Sequence, residues 1–383
     1  MEHCHMIAKH STELCNLYCT CCLSLNKTQL YPECQTYCTD DTTLQLFIRQ
    51  KIDTRETKDI LFSWKDDELT SDRLNFFKRV IELQQQFAQG KNIINTLLTS
   101  GMLLDDDWCI FFKTNNFLIS ISVDSDIPLR NNNPKSISSK STTPMVEKSI
   151  NLLQKHDIEF TTLTVINALN CQQPLRVYHY LKSIGSRHML FIPLFEPLAQ
   201  GGVDAKSLAP AALGTFLKTI FYTWVRLDIG TIKIPFFERA FVTWCGVPAP
   251  ACAFTPFNNN YSVFASKISD DLCQCDRFIN SKFLLSPPHQ YSTTTMREST
   301  INKIVEQRKP PLVKECASCK VKLVCNDGCP KDRIAFSQRG APELNYFCES
   351  YQAFFTYVDP YMLMMRALWE QNYTPSDIRQ YLV

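Results

Sequence analysis

The chain has 383 residues, of which 45% are hydrophobic and 20% charged, and its formal net charge is +2. That balance describes a globular protein with a sizeable core and excludes a disordered chain. It leaves no basic footprint for nucleic acid or an anionic membrane, and no apolar run reaches the ~18 residues that a spanning helix needs.

In chain order, the apolar pattern alternates between strand and helix periods. Strands are expected at residues 5–9, 59–64, 92–98, 117–123, 158–166 and 189–193. Helices are expected at residues 42–52, 71–87, 105–113, 144–155, 175–184 and 208–224. Asp105, Asp106 and Asp107 place negative charge where a helix start favours it. Residues 131–143 are polar and read as a loop. The alternation ends near Gly230; from Cys245 to Cys348 the chain is loop-rich and cysteine-bearing, and it reads as a second domain organised by metal. A terminal helix is expected at residues 362–370. Six strands each followed by a helix argue for a parallel α/β sheet or barrel, whose chemistry gathers at the carboxyl ends of its strands.

Two counts depart from the average. There are 18 cysteines, and only 10 glycines where ordinary usage of roughly 7% would give about 27. Residues 1–10 carry no apolar h-region or small-residue cleavage site, so a cytoplasmic setting with reduced thiols is expected. Cysteines in such a setting read as metal or cluster ligands rather than as disulfides.

Cys15, Cys19 and Cys22 form CxxxCxxC just after the first strand. Three thiolates at this spacing suit three irons of a 4Fe–4S cube whose fourth iron stays open to a ligand. A zinc site completed by Cys21 or a histidine is the alternative. Cys316, Cys319, Cys325 and Cys329 form CxxCx5CxxxC, followed by Pro330-Lys331-Asp332-Arg333 and, further on, Cys348. Five cysteines do not divide into one tetrahedral site. With Cys252, Cys273 and Cys275 upstream, two four-ligand sites are expected, although a structural zinc knuckle also uses four thiolates.

These residues carry a resemblance. Cys15 to Cys22, reading CNLYCTCC, resembles the CNLxCxYC signature of radical S-adenosylmethionine (SAM) enzymes. Cys316 to Arg333, with Leu344-Asn345-Tyr346-Phe347-Cys348, resembles the C-terminal auxiliary-cluster domain called SPASM. Phe62-Ser63-Trp64, Gly101 to Cys109, Ile121-Ser122-Val123-Asp124, Phe191-Ile192-Pro193 and Cys275-Asp276 extend the likeness. Together they resemble the anaerobic sulfatase-maturating enzymes, over about residues 5–361.

The resemblance implies an α/β fold: a partial (β/α)6 TIM-type radical SAM barrel over residues 1–235, a loop-rich cysteine-ligated auxiliary-cluster domain over 236–349, and a C-terminal helical tail over 350–383. It implies S-adenosyl-L-methionine, a 4Fe–4S cluster on Cys15, Cys19 and Cys22, and up to two auxiliary clusters. By the family pattern one auxiliary cluster sits on Cys316, Cys319, Cys325 and Cys348, and the other on Cys252, Cys275 and Cys329, one ligand short. It also implies a peptide-modifying oxidoreductase. A 5′-deoxyadenosyl radical takes a Cβ hydrogen from a Cys or Ser of a sulfatase peptide, and a carboxylate, matching Asp276, takes the thiol or hydroxyl proton. The product is formylglycine. An external electron donor is implied, and neither nucleic acid nor membrane.

The sequence also departs from that pattern. The glycine-rich SAM loop aligns with Lys65-Asp66-Asp67-Glu68-Leu69, so Asp66 and Asp67 stand where glycines let the backbone approach a ligand. Two added carboxylates there are expected to repel the ligand's own. Asp66, Asp67, Glu68 and Ser122 are the cofactor-contact positions the likeness assigns. Ser24 replaces an adenine-contacting aromatic, Asn258 replaces an auxiliary cysteine, and Cys273 is the substitute ligand available. Two readings follow: an active radical SAM peptide oxidoreductase, or a homologue that binds clusters or peptide without cleaving SAM. His3-Cys4-His5 reads as a solvated tail, Cys34 and Cys38 as an incidental pair, Cys109 and Cys171 as ordinary small residues, and Phe354 and Phe355 as core.

Overall fold

The computed structural model describes residues 4–9, 41–53, 57–66, 69–123, 143–198, 202–247, 261–265, 272–273, 284–285, 314–325, 328, 332–333 and 344–382. Cys15, Cys19, Cys21, Cys22, Ser24, Cys34, Cys38, Asp67, Glu68, Cys252, Asn258, Cys275, Asp276 and Cys329 lie outside the described residues, as does nearly all of the polar loop at 131–143. The chain divides into two units.

The first unit takes in Met1–Val123, Ser136–Phe160 and Tyr261–Glu306. Its strands are β1 (Cys4–Lys9), β2 (Asp59–Lys65), β3 (Asn92–Thr99), β4 (Leu118–Ser122), β7 (Tyr261–Ala265), β8 (Leu272–Cys273) and β9 (Leu284–Leu285). They lie in the order β4-β3-β2-β1-β7-β8-β9. The first four pairings are parallel, with Leu98 opposite Ser120, Leu61 opposite Ile94, Ile7 opposite Ser63 and Met6 opposite Val263. β8 and β9 then turn antiparallel. Parallel neighbours need crossovers, and α1 (Asp41–Asp53), α2 (Ser71–Phe87) and α3 (Asp106–Thr114) supply them, with α4 (Thr143–Lys155) after β4. The expected tail at Cys4 and His5 is therefore part of a strand that is paired on both edges. Its backbone donors would otherwise be unsatisfied in a sheet interior.

Helix α2 buries Leu74, Phe77, Val80 and Leu83, an apolar stripe at helical spacing. Phe77 meets Trp64, Trp108 and Phe117 edge-on, with ring centroids 5.6, 5.7 and 6.0 Å apart. Each buried aromatic contributes about 2–3 kcal/mol of burial free energy. Under this layer one polar triangle is fully satisfied: Trp64 Nε1 and Gln84 Nε2 donate to Asn95 Oδ1 at 2.8 and 2.9 Å, and Asn95 Nδ2 donates to Gln84 Oε1 at 2.8 Å.

The second unit takes in Asp124–Lys135, Thr161–Asn260 and Gln307–Val383. β5 (Phe160–Ile166), which begins at the unit boundary, pairs parallel with β6 (His188–Pro193), Leu163 opposite Leu190, around the crossover α5 (Pro174–Ser183). The helix expected from residue 208 begins later, as α6 (Ala212–Thr223), because Pro210 fits a helix start and not its interior. It then runs into a five-residue π turn, Trp224–Asp228. The stretch after Gly230, expected to lack periodic structure, begins with a helix, α7 (Pro235–Trp244), with proline at its first position.

Beyond the cysteine segment, with its short helices α8 (Lys314–Ala317) and α9 (Lys322–Cys325), lies α10 (Cys348–Glu370). α10 is 23 residues long and corrects the expected start at 362. Pro360 interrupts the sequence signal but not the helix. Tyr351, Phe354, Phe355, Val358, Met362 and Met365 are buried along one stripe, and that packing outweighs the ~3 kcal/mol cost of an internal proline. Phe354 and Phe355 are core, as expected: Phe354 stacks on Phe237 at 5.5 Å and Phe355 on Phe236 at 5.8 Å. No helix among the described residues is long and apolar enough to cross a membrane.

Candidate functional site

Two groups of expected site residues fall within the described residues, one in each unit.

In the first unit, the parallel register sets Lys65 opposite Leu98 and Thr99 opposite Ile121. Asp66 therefore follows the end of β2, Ser100 the end of β3, and Ser122 closes β4, all on the carboxyl edge of one sheet. This is the edge where α/β proteins bind ligands. Asp66 is buried, and its backbone N–H donates to Leu98 O at 3.0 Å. Its carboxylate lies 3.6 Å from Arg73 Nε on the first turn of α2. Burial lowers the Arg73 guanidinium below its ordinary value, but not into a range where it loses its charge near neutrality. Ser122 is half-buried.

After β3 the chain turns at Gly101, where φ is +74° and a Cβ would press on Ile121 Cδ1 at 3.1 Å and Ser149 Cβ at 3.3 Å. Glycine alone meets both demands. Asp105 then caps α3, its Oδ1 accepting from Trp108 N at 2.9 Å. Trp108 Nε1 donates to Leu69 O at 2.9 Å, which ties the chain just beyond Asp66 to α3. Cys109 is core, with burial pushing its thiol up to about 12.

In the second unit, Cys316, Cys319, Cys325 and Cys348 are all free thiols and half-buried. Backbone turns position them. Cys319 N donates to Cys316 O at 3.3 Å, Cys325 N to Val321 O at 2.9 Å, and Gly328 N to Cys325 O at 2.9 Å. Gly328 has φ +65° and sits against the Asn345 side chain so closely that a Cβ would clash. Asn345 O in turn accepts from Cys348 N at 3.0 Å, and Tyr346 N donates to Asp332 O at 2.7 Å. The loop beyond Cys325 is thus tied to the segment that leads into Cys348. Phe195, with ring centroids 4.7 Å from Tyr346 and 5.8 Å from Phe347, holds that segment against the end of β6.

Burial pushes the Cys348 thiol up to about 11, and Cys316, Cys319 and Glu315 add to it through space. The three thiols therefore feel one another. Gln352, one turn along α10, donates from Nε2 to Cys348 Sγ at 3.5 Å and to Cys319 Sγ at 3.8 Å. A single zinc ion needs its thiolates about 2.3 Å from one centre. Among the described residues no three His, Cys, Asp or Glu side chains form a group that could hold a metal ion. Four reduced, neighbouring cysteines that are not drawn onto one point fit an iron–sulfur cluster, whose thiolates bind different irons.

No protein-family profile matches the chain. Its sequence is 29% identical to a serine-type anaerobic sulfatase-maturating enzyme of Bacteroides thetaiotaomicron, across 99% of this chain and 95% of that protein. It is 26% identical to a cysteine-type enzyme of Clostridium perfringens, across 94% and 97%. A solved structure of anSMEcpe with bound AdoMet matches with a TM-score of 0.78 at 26% identity, across 95% of this chain and 99% of that one. The chain is a homologue of the anaerobic sulfatase-maturating enzymes. It has the radical SAM partial barrel with a C-terminal helical region. A second anSMEcpe structure, with AdoMet and a bound peptide, matches this homologue with a TM-score of 0.80 at 25% identity.

The sequence did not single out Arg73 or Gln352. Arg73 stands three residues into a helix beside a buried acid, a pattern with no signature. Gln352 lies four residues after Cys348, so the i, i+4 spacing would have marked it had the helix been extended back to that cysteine.

Proposed function

We propose that the protein is a radical SAM oxidoreductase that acts on a peptide, oxidising a Cys or Ser side chain of a sulfatase to formylglycine. The observation that carries this reading is likeness across nearly the whole chain to maturases, one of which has been solved with AdoMet and a peptide together. When bound, AdoMet and its cluster supply a hydrogen-abstracting radical, and auxiliary clusters supply an electron acceptor.

The protein's own residues take the remaining roles. Cys15, Cys19 and Cys22 hold the cluster that binds AdoMet, and Ser122 and the Asp66–Glu68 stretch flank the cofactor. Asp276 accepts the proton of the substrate thiol or hydroxyl. Cys316, Cys319, Cys325 and Cys348 hold one auxiliary cluster; Cys252, Cys275 and Cys329 contribute to a second. An external donor supplies the reducing electron, and the setting is cytoplasmic. The Asp66–Arg73 pair supports retention of AdoMet binding, because the acid that replaces a loop glycine has a cation beside it.

The test is 5′-deoxyadenosine formation. Protein reconstituted anaerobically with iron and sulfide is given AdoMet and a strong reductant, beside a Cys15→Ala control. Production above the control is expected, followed by loss of two hydrogens from a Cys- or Ser-containing sulfatase peptide, read by mass spectrometry. No production with iron present at the triad favours the second reading, a homologue that binds clusters or peptide without cleaving AdoMet. The altered loop at Asp66 and Asp67 is the observation behind that alternative.

A further inference from the structure

We propose that Gln352 is a positioning residue for the C-terminal cluster: its amide donates one N–H to each of two ligand thiolates and sets the potential at which that cluster accepts an electron. The proposal rests on the reading that Cys316, Cys319, Cys325 and Cys348 hold an iron–sulfur cluster.

The geometry is specific. Cys348 and Gln352 are one turn apart on α10 and share a face. Cys319 reaches the same amide from a separate segment, after α8. Gln352 Nε2 lies 3.5 Å from Cys348 Sγ and 3.8 Å from Cys319 Sγ. A primary amide nitrogen carries two hydrogens, one for each sulfur. Gln352 is exposed, so nothing in the core forces it there, and water was available to it as a partner.

The electrostatics give the direction. A neutral thiol is a weak acceptor, and a thiolate carrying cluster charge is a much better one. Reduction adds one electron, and part of its charge falls on the sulfurs. Donors aimed at those sulfurs therefore favour the reduced form, as hydrogen bonds to cluster sulfur do in general. Gln352 also covers the exposed side of Cys319 and Cys348, which limits water at the same atoms. A cluster that must take the electron left after substrate oxidation works better with a raised potential.

The test uses the full chain, reconstituted anaerobically, with iron and sulfide counted. A potentiometric titration with dithionite is followed by EPR. The transition that vanishes in Cys348→Ser identifies the C-terminal cluster. In Gln352→Leu, iron content is expected to be unchanged while the reduction equilibrium of that transition shifts about tenfold toward the oxidised form, about 59 mV for one electron. Gln352→Glu, isosteric but without the donors, is expected to shift it further in the same direction. A midpoint unmoved in both variants at full iron content overturns the proposal. If Cys316→Ser and Cys348→Ser lose no iron and remove no transition, the cluster reading itself fails, and the two failures are told apart by the iron count.

Discussion

The backbone N–H of Gly214 on α6 donates to Ser350 Oγ on α10 at 2.7 Å, and that hydroxyl donates in turn to Pro210 O. A Cβ built on Gly214 would stand 2.9 Å from Ser350 Cα and 3.0 Å from its carbonyl oxygen. The two helices touch backbone to backbone at this point. Ser350 lies two residues after Cys348, so the contact fixes the start of the helix that carries both Cys348 and Gln352.

Gly214→Ala is therefore expected to destabilise the protein despite the better helix propensity of alanine, because the atoms it meets are main-chain and cannot swing aside. Overpacking of this kind costs about 1–3 kcal/mol, against roughly 1 kcal/mol gained by replacing glycine in a helix. Urea unfolding followed by circular dichroism reads the net loss. A variant as stable as wild type would show that α6 and α10 do not approach so closely.

Asp228 closes the π turn after α6 and is buried, yet it is fully matched. Tyr178 OH donates to its Oδ2 at 2.8 Å and Lys182 Nζ to its Oδ1 at 2.6 Å. Tyr178→Phe removes one donor to a buried carboxylate and is expected to cost about 1.5–3 kcal/mol. Burial, and then the neighbouring Asp228 carboxylate, raise the Tyr178 hydroxyl above its ordinary value. A raised value means that the stability is complete below pH about 10, where an unfolded tyrosine titrates, and is lost as pH climbs above it. The gap between wild type and Tyr178→Phe should thus be constant from neutral pH to about 10 and narrow beyond. A gap that widens with pH would contradict the assignment.

At the entry of α3, Asp105→Ala removes the side chain that accepts from Trp108 N. The expected loss is about 1 kcal/mol, the usual worth of a helix N-cap. Asp105→Asn should recover most of it, since the amide oxygen still accepts. Thermal unfolding of the two variants side by side decides the point; equal losses would show that charge, and not the hydrogen bond, is what matters.

Much of this was legible beforehand, and the reason is periodicity. The segment from residue 71 to residue 87 follows a helical apolar period so regularly that its expected bounds coincide with α2. The six strands of the first 193 residues are found within two residues of their expected ends. The acids at 105–107 start α3, as the helix dipole favours. What was missed has weak local signals. β7 gains its partners from β1, more than two hundred residues earlier, so nothing local announces it. α10 is carried through Pro360 by aromatic packing that only the tertiary fold supplies. At the site, cysteine spacing pointed to Cys316, Cys319, Cys325 and Cys348 as a set. The hydrogen bonds of Gln352 and the cation beside Asp66 were not legible, since both depend on side chains meeting across separate elements.

The pair of Asp66 and Arg73 bears directly on cofactor binding. Two extra acids in the loop were expected to repel the carboxylate of AdoMet; like charges about 4 Å apart cost about 4 kcal/mol at an effective dielectric near 20. Arg73 stands beside one of them. Removing the cation should expose the charge it balances, so Arg73→Met is expected to lower stability by about 3 kcal/mol, as when one member of a buried pair is lost. It should also weaken AdoMet binding in the reconstituted protein by at least tenfold. Asp66→Asn alone should change affinity by less than about threefold, and the double variant Asp66→Asn/Arg73→Met should bind much as wild type does, because the two effects are coupled. Equilibrium dialysis with labelled AdoMet measures all four proteins. Additive losses in the double variant would mean that Arg73 acts on the ligand by some route other than Asp66, and a large gain from Asp66→Asn alone would mean that the carboxylate repels the cofactor after all.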